Sequence, residues 1–363
     1  MKPLVVIDAR MVISIPHGIA RYVTQLAKGL AELQKTTELS YRPLFLTHTK
    51  KADPFFCGFQ SIQVSSPFLS PQEWIEVPKV LKALRAKIYH SPSFSSLWKC
   101  PCTSIVTIHD LNHLVYGNCS KKLYYYTLLR RFAQHSQAIV TVSEFSQQKI
   151  SEWLRIPKNS IDIAYNALEP PDLNLLGKIT RPVQNTQFNL EQGHYFFCLS
   201  NSKPHKNLLL LIQAYEIYKA QCPDPWPLVL TIQAKVPTGV KAIGEQPESE
   251  ISFLLSSAAG GFFPSLYEGF GLPPIEAALA GIPIAVSSIQ PHQEGLKDLR
   301  PEEVLWVDPK NVQEWVNAFH KIRKGEVSQP SENSRKALLQ RFNSLRLGQT
   351  MDRIYRRVLE AKE

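Results

Sequence analysis

The chain has 363 residues, 44% hydrophobic and 20% charged, a composition that excludes a disordered polymer. That length exceeds one ordinary core and suggests two domains or three. A formal charge of +10 suits nucleic acid, anionic lipid or phosphorylated ligands, but without zinc-finger spacing, an RNA-recognition signature or an obvious recognition helix, nucleic acid is not an expected partner.

In chain order, "MKPLVVIDARMV" reads as a buried strand. Its apolar run is short and interrupted by Asp8 and Arg10, unlike a secretory signal, and no run approaches a membrane span, so a cytoplasmic protein is expected. "GIARYVTQLAKGLAEL" carries Ile19, Tyr22, Val23, Leu26 and Leu30 at helical spacing. Strands follow in "RPLFLT", "IYHSP", "SIVTIHD", "AIVTVS" and "IDIAYNA". Continuous apolar strands alternating with helices indicate a parallel sheet covered on both faces. Between them, "KKLYYYTLLRRF" places Tyr125, Leu128, Leu129 and Phe132 on one helical face, read as core. Lys121, Lys122, Arg130 and Arg131 form no clean stripe, and an interfacial role for the segment stays open.

The first domain is read as 1–168. Residues 169–193, rich in Pro, Asn and Gln, read as a linker. The second domain, 194–340, restarts the alternation with "YFFCLS", a helix in "NLLLLIQAYEIYKA", "PLVLTIQ", a short helix after Pro247, "GGFFPS", a helix from "PPIEAALA", and "IPIAVSS". The final segment, 341–363, reads as helix. From Arg335 onward the chain holds eight Lys or Arg and three acids, as a solvated basic face or a membrane-surface element. The six cysteines include one close pair, Cys100 and Cys102, without a second pair at zinc spacing; they read as reduced, buried thiols.

The stretch that carries chemistry is "FFPSLYEGFGLPPIEAALAG", Phe262 to Gly281. A strand ends, a Gly-rich loop follows, and a helix starts near Pro274, so Glu276 is expected in its first turn and Glu268 in the loop. Proline suits a first helical turn because its missing N–H is not needed there. Gly269 and Gly271 let the backbone approach a phosphate, and the helix start offers N–H groups and positive potential. In open α/β sheets ligands bind at this edge. Two acids beside a phosphate site suit hydroxyl groups, hence a nucleotide sugar. The plain alternative is an ordinary helix start.

With those residues in view, the segment resembles the signature region of glycosyltransferase family 4, whose two acids stand at the spacing of Glu268 and Glu276. The resemblance spans nearly the whole chain. "GIARY" at Gly18–Tyr22 is similar to the N-terminal glycine loop, "VTIHDL" to the strand end carrying His109, "SKPHKNL" to the segment of the phosphate-binding lysine, Lys206, and "VDP" at Val307–Pro309 to a late landmark. It implies a GT-B fold: an α/β protein of two Rossmann-like, doubly wound parallel-sheet domains facing across a cleft, with a C-terminal helix crossing back to the first. The first domain would be acceptor-side, the second nucleotide-sugar-binding.

The resemblance also implies roles. Glu268 would hold hydroxyls of the transferred sugar and Glu276 the ribose. Lys206 and the amides of Gly269, Phe270, Gly271 and Leu272 would bind the diphosphate. His109 would face the transferred sugar, and Gly18 would allow close approach of its loop. The activity implied is retaining transfer from GDP-mannose or a UDP-sugar to a glycan or lipid-linked acceptor, in surface polysaccharide or lipopolysaccharide synthesis, with the enzyme cytoplasmic or peripheral on the inner face of the membrane. Preorganised cations and N–H groups can stabilise the departing diphosphate. With no Asp-x-Asp triplet, neither metal nor cofactor is expected.

The sequence departs from the family pattern too. Ser202 stands where an arginine usually accompanies the lysine, with Lys203 or His205 as compensating cations. Ser200, Ala20 and Ala167 replace glycines. A non-catalytic nucleotide-sugar binder and a GT-B-type epimerase are the alternatives. A glycosidase with paired carboxylates is disfavoured by the placement of Glu276 in a helix start, and "GIARY" does not supply a dehydrogenase's G-x-G-x-x-G.

Overall fold

The computed structural model describes residues 2–13, 18–168 and 190–361. Most of the expected linker lies outside the described residues. The chain divides into two compact units: Met1–Leu168 together with Phe342–Glu363, and Glu169–Arg341.

The first unit is a seven-stranded sheet of β1 (Leu4–Asp8), β2 (Arg42–Thr47), β3 (Ser61–Gln63), β4 (Ile88–Ser91), β5 (Thr103–Thr107), β6 (Ala138–Thr141) and β7 (Ile161–Ile163). Its order is β3-β2-β1-β4-β5-β6-β7, and every pairing is parallel. All five residues of β1 are buried, as an apolar strand with helices on both faces requires. Helix α1 (Ile19–Gln34) buries Tyr22, Val23, Leu26, Leu30 and Leu33 along one stripe.

The second unit is a six-stranded parallel sheet of β8 (Phe196–Cys198), β9 (Leu228–Leu230), β10 (Val240–Ala242), β11 (Gly260–Phe263), β12 (Ile284–Ser287) and β13 (Val304–Val307), ordered β10-β9-β8-β11-β12-β13. Helices α2 (Leu208–Gln221), α3 (Glu248–Ser256), α4 (Leu272–Leu279), α5 (Gln290–Gly295) and α6 (Val312–Arg323) connect and cover it. Phe196, Phe262, Trp315 and Phe319 centre its core; Phe262 stacks on Phe319 with centroids 4.2 Å apart. Both units are thus the doubly wound α/β architecture expected.

Three details refine or correct the sequence reading. Residues 341–363 hold one helix, α8 (Ser344–Glu360), and a separate helix, α7 (Glu332–Arg341), precedes it. Asn343 breaks them, its side chain accepting from Arg346 N at 2.8 Å as an N-cap. Of the cysteines, Cys198 is buried, whereas Cys57 and Cys119 are exposed. Part of the basic tail is ion-paired: Lys336 with Glu332, Arg341 with Asp298, Arg356 with Asp352 and Arg357 with Asp162.

Helix α8 packs on α1 within the first unit. A Cβ on Gly29 would lie 1.9 Å from the Ser344 carbonyl oxygen, and one on Gly348 would lie 2.4 Å from the Gly29 carbonyl carbon. The two backbones touch where a side chain would otherwise stand. Tyr355 of α8 also reaches the core, its hydroxyl 2.7 Å from His90 Nδ1, while His90 Nε2 meets Thr107 Oγ1 at 2.8 Å.

Candidate active site

A sheet ordered like the second one reverses its strand sequence between β8 and β11, which are hydrogen-bonded neighbours. Loops leaving the carboxyl ends of those two strands diverge to opposite faces and open a crevice. The loop after β8 carries Lys203 and Lys206; the loop after β11 carries Ser265 and Glu268.

Lys206 and Glu268 meet there. Lys206 Nζ lies 2.6 Å from Glu268 Oε1, with side chains 13% and 14% exposed. Ser265 Oγ donates to the same oxygen at 2.7 Å. Burial pushes the Glu268 carboxyl up, but the Lys206 charge and the hydrogen bonds from Lys206 and Ser265 hold it below the usual range. It is therefore an ionised carboxylate at neutral pH. The anion beside Lys206 in this structure is Glu268 itself.

The lysine's loop is anchored. Pro204–Lys206 form one 3-10 turn, and Asn207 follows at φ +55°, a left-handed conformation that asparagine tolerates. Asn207 Nδ2 donates to the Pro264 and Pro309 carbonyls at 3.2 and 2.7 Å. One side chain thus ties together the loops after β8, β11 and β13. Leu266 N donates to the His205 carbonyl at 2.7 Å.

Helix α4 begins at Leu272, two residues earlier than the sequence suggested. Gly271 is its N-cap at φ +87°, and Pro273 and Pro274 occupy the first turn. Glu276 is consequently in the second turn and half-buried, not at the helix start. The prolines have no N–H, so an anion at this end would be held by amides of Gly269, Phe270, Gly271 and Leu272.

Of the residues singled out in the sequence, the structure brings Lys206 and Glu268 together and sets Gly269 to Leu272 in the same loop and helix start. Lys203 is exposed, and Ser202, where an arginine was expected, is also on the surface. His109 and Gly18 belong to the first unit. His109 Nε2 contacts the Pro92 carbonyl at 2.9 Å, and its ring meets the Tyr22 ring edge-on at 4.9 Å. Gly18 precedes α1 and adopts φ +50°. Burial pushes the His109 imidazole down to about 4.

Sequence reasoning missed Ser265, Asn207 and His292. His292, on α5, is 1% exposed. Its Nδ1 lies 3.1 Å from the Ser287 carbonyl oxygen. A Cβ on Gly271 would stand 2.6 Å from its Cδ2. Gly271 therefore serves twice, in adopting a positive φ and in yielding space to this ring.

The Glycosyltransferase Family 4 description matches residues 16–170, and Glycosyl transferases group 1 matches residues 182–338. The O-antigen chain mannosyltransferase RfbU of Salmonella typhimurium is 25% identical over 232 residues, 60% of each chain. The O-antigen chain mannosyltransferase B of Escherichia coli is 24% identical over 249 residues, 64% of each. The match thus spans less than two thirds of either relative. Anabaena HepE, solved with UDP and glucose, shares the fold with a TM-score of 0.69 at 16% identity, covering 97% of this chain and 99% of its own.

Proposed function

Because the chain belongs to the group 1 glycosyltransferases of the family 4 type, we propose that it transfers a hexose, mannose first among candidates, from a nucleotide sugar to a glycan or lipid-linked acceptor in surface polysaccharide or lipopolysaccharide assembly. The observation that carries this reading is the Lys206–Glu268 pair at the strand-order reversal, beside a helix start whose N-cap, Gly271, has no side chain. A diphosphate there meets a cation and several amides. Sugar hydroxyls meet an ionised carboxylate.

In the proposed reaction the bond from the anomeric carbon to the diphosphate breaks as an acceptor hydroxyl forms the new glycosidic bond, and the hydroxyl's proton passes to the departing diphosphate oxygen. Negative charge grows on the leaving diphosphate. Lys206 and the amides of Gly269 to Leu272 neutralise it without a metal ion. Glu268 holds hydroxyls of the transferred hexose, and Glu276 holds the ribose. His109 is the proposed sugar-facing group of the first unit. Retention at the anomeric carbon is part of the proposal, as the family resemblance implies.

The mannosyltransferase relatives favour GDP-mannose as donor, and the UDP and glucose of HepE keep UDP-glucose as the second candidate. No described helix is long and apolar enough to cross a membrane. Exposed Leu123 and Tyr126 beside Lys121 and Lys122 support contact with an anionic membrane surface as part of the proposal.

The test is release of GDP or UDP from a panel of nucleotide sugars, with a lipid-linked glycan acceptor, before and after exhaustive EDTA treatment. Turnover of one donor that survives EDTA, with retained configuration in the product by NMR, is expected. Binding without turnover would favour a non-catalytic binder, and interconversion of the sugar without transfer would favour an epimerase. Loss of activity restored by Mg²⁺ would remove the metal-independent step.

A further inference from the structure

His292 is a buried polar group that the mechanism above does not use. Its Nδ1 faces the Ser287 carbonyl at 3.1 Å. A carbonyl can only accept, so Nδ1 carries the hydrogen, and the neutral ring then presents a lone pair at Nε2. Among the described residues that Nε2 has no hydrogen-bond partner. Leaving a buried acceptor unsatisfied is costly, and such a group in a native site needs a reason.

Its position supplies one. A Cβ on Gly271 would lie 2.6 Å from Cδ2 and 3.1 Å from Nε2. The edge of the ring that bears the lone pair is thus laid against the N-cap of α4, where the donor is proposed to bind. Glu268 and Lys206 are both close enough to act on it electrostatically: burial above all pushes the imidazole down to about 4, Glu268 opposes this and Lys206 adds to it. The ring is neutral in the working range of pH. A neutral acceptor asks for an O–H. A diphosphate offers only oxygen lone pairs and would be repelled; a sugar hydroxyl fits.

We propose that His292 is a specificity-determining residue whose Nε2 accepts a hydrogen bond from one hydroxyl of the transferred sugar, alongside Glu268. This rests on the nucleotide-sugar reading of the site. The Ser287 carbonyl fixes the tautomer and the absent side chain of Gly271 gives the ring its place, so these two backbone features set which hydroxyl is recognised.

The experiment uses GDP-mannose and UDP-glucose, their 2-, 3-, 4- and 6-deoxy analogues, and GDP and UDP as sugar-free ligands. In the wild type one deoxy analogue should lose about tenfold in kcat/KM, the scale of one hydrogen bond. His292→Asn keeps a donor for Ser287 but removes the far acceptor. It should lose about tenfold with the parent donor and no longer distinguish that analogue, while binding GDP or UDP within about twofold of wild type. His292→Gln restores an acceptor at the tip and should recover part of the discrimination. The proposal is overturned if no single hydroxyl matters in the wild type, a result that needs no variant. It is also overturned if His292→Asn weakens GDP or UDP as much as the donor, which would make the ring a structural or diphosphate-side group. A wild type that binds GDP or UDP but ignores every sugar position overturns this proposal alone. One that binds neither nucleotide nor nucleotide sugar overturns the functional reading and this proposal with it.

Discussion

The two sheets reverse their strand order in the same way and use the two crevices differently. In the first unit the reversal lies between β1 and β4, and it is filled. The Arg10 guanidinium makes two hydrogen bonds to Asp8, at 2.9 and 2.7 Å, and reaches Glu73 at 2.9 Å. Tyr89 donates to Asp8 at 2.8 Å, Ser95 to Glu73 at 3.0 Å. The Arg10 and Asp8 side chains are wholly buried and Glu73 is 2% exposed. In the second unit the reversal holds Lys206 and Glu268, which solvent reaches, and nearby His292 keeps an unused acceptor. Buried charge that is fully bonded serves the architecture. The partly exposed pair and the unused acceptor are what the proposed function assigns to a ligand.

The largest effect should come from breaking the filled crevice. Arg10→Ala leaves Asp8 and Glu73 buried without their cation, which costs about 3–5 kcal/mol of stability. A fall of that size in the unfolding free energy, read from urea unfolding, is expected. A loss below about 1 kcal/mol would show that the network is dispensable. Lys206→Ala should invert the pattern. Turnover should drop about a hundredfold or more, the scale for one preorganised donor to a developing negative charge, while the unfolding midpoint moves less than for Arg10→Ala. Near-normal kcat at saturating donor would remove Lys206 from the leaving-group site.

Buried histidines sharpen the comparison by pH. Burial pushes His90 down to about 3 and His109 to about 4 in the first unit, and His292 to about 4 in the second. An unfolded chain protonates each near 6.5. Below that pH the unfolded state takes a proton that the folded state refuses, so each histidine removes about 1.4 kcal/mol of stability per pH unit until the folded ring itself titrates. Between about pH 6 and 5, protection from hydrogen exchange, corrected for the chemical rate, should therefore fall in both units, in the second also through His320, which burial likewise pushes down. Protection that rises as the pH falls through this range would contradict the assignment.

The smallest effect is reserved for Glu276. Ala in its place should raise donor KM about tenfold with kcat nearly unchanged, because ribose contacts are made equally in the ground and transition states. Glu268→Ala should lower kcat as well. Identical kinetic profiles for the two variants would erase the distinction between sugar-side and ribose-side acids.

Much of this was legible in the sequence for physical reasons. Long apolar strands and a periodic α1 announce themselves by composition and spacing. Strands β3, β10 and β13 were overlooked because three or four residues, with Ser61, Gln63 and Lys241 among them, carry too little periodicity. The start of α4 was placed late because Pro273 and Pro274 look like a boundary, although proline fits anywhere in a first turn. Lys206 and Glu268 were each visible through the family resemblance. Their pairing was not, since 62 residues separate them and only strand order makes them neighbours. His292 sits in a six-residue helix with no pattern. Its burial is a tertiary fact, and the one local hint was Gly271 opposite it.

The bare backbone crossing of α1 and α8 has a consequence for synthesis. Residues 19–34 emerge early from the ribosome, yet their partner surface arrives only with residues 344–360. The whole second unit is made in between. At about 5–20 residues per second, the roughly 310 residues between the two helices take about fifteen to sixty seconds. Through that interval the face of α1 around Gly29 lacks the helix that covers it in the folded protein. Because the crossing admits no side chain at Gly29 or Gly348, any Cβ there would delay or misdirect this late closure more than it would disturb either sheet. Nascent-chain proteolysis should show the first unit becoming resistant only after α8 has left the exit tunnel.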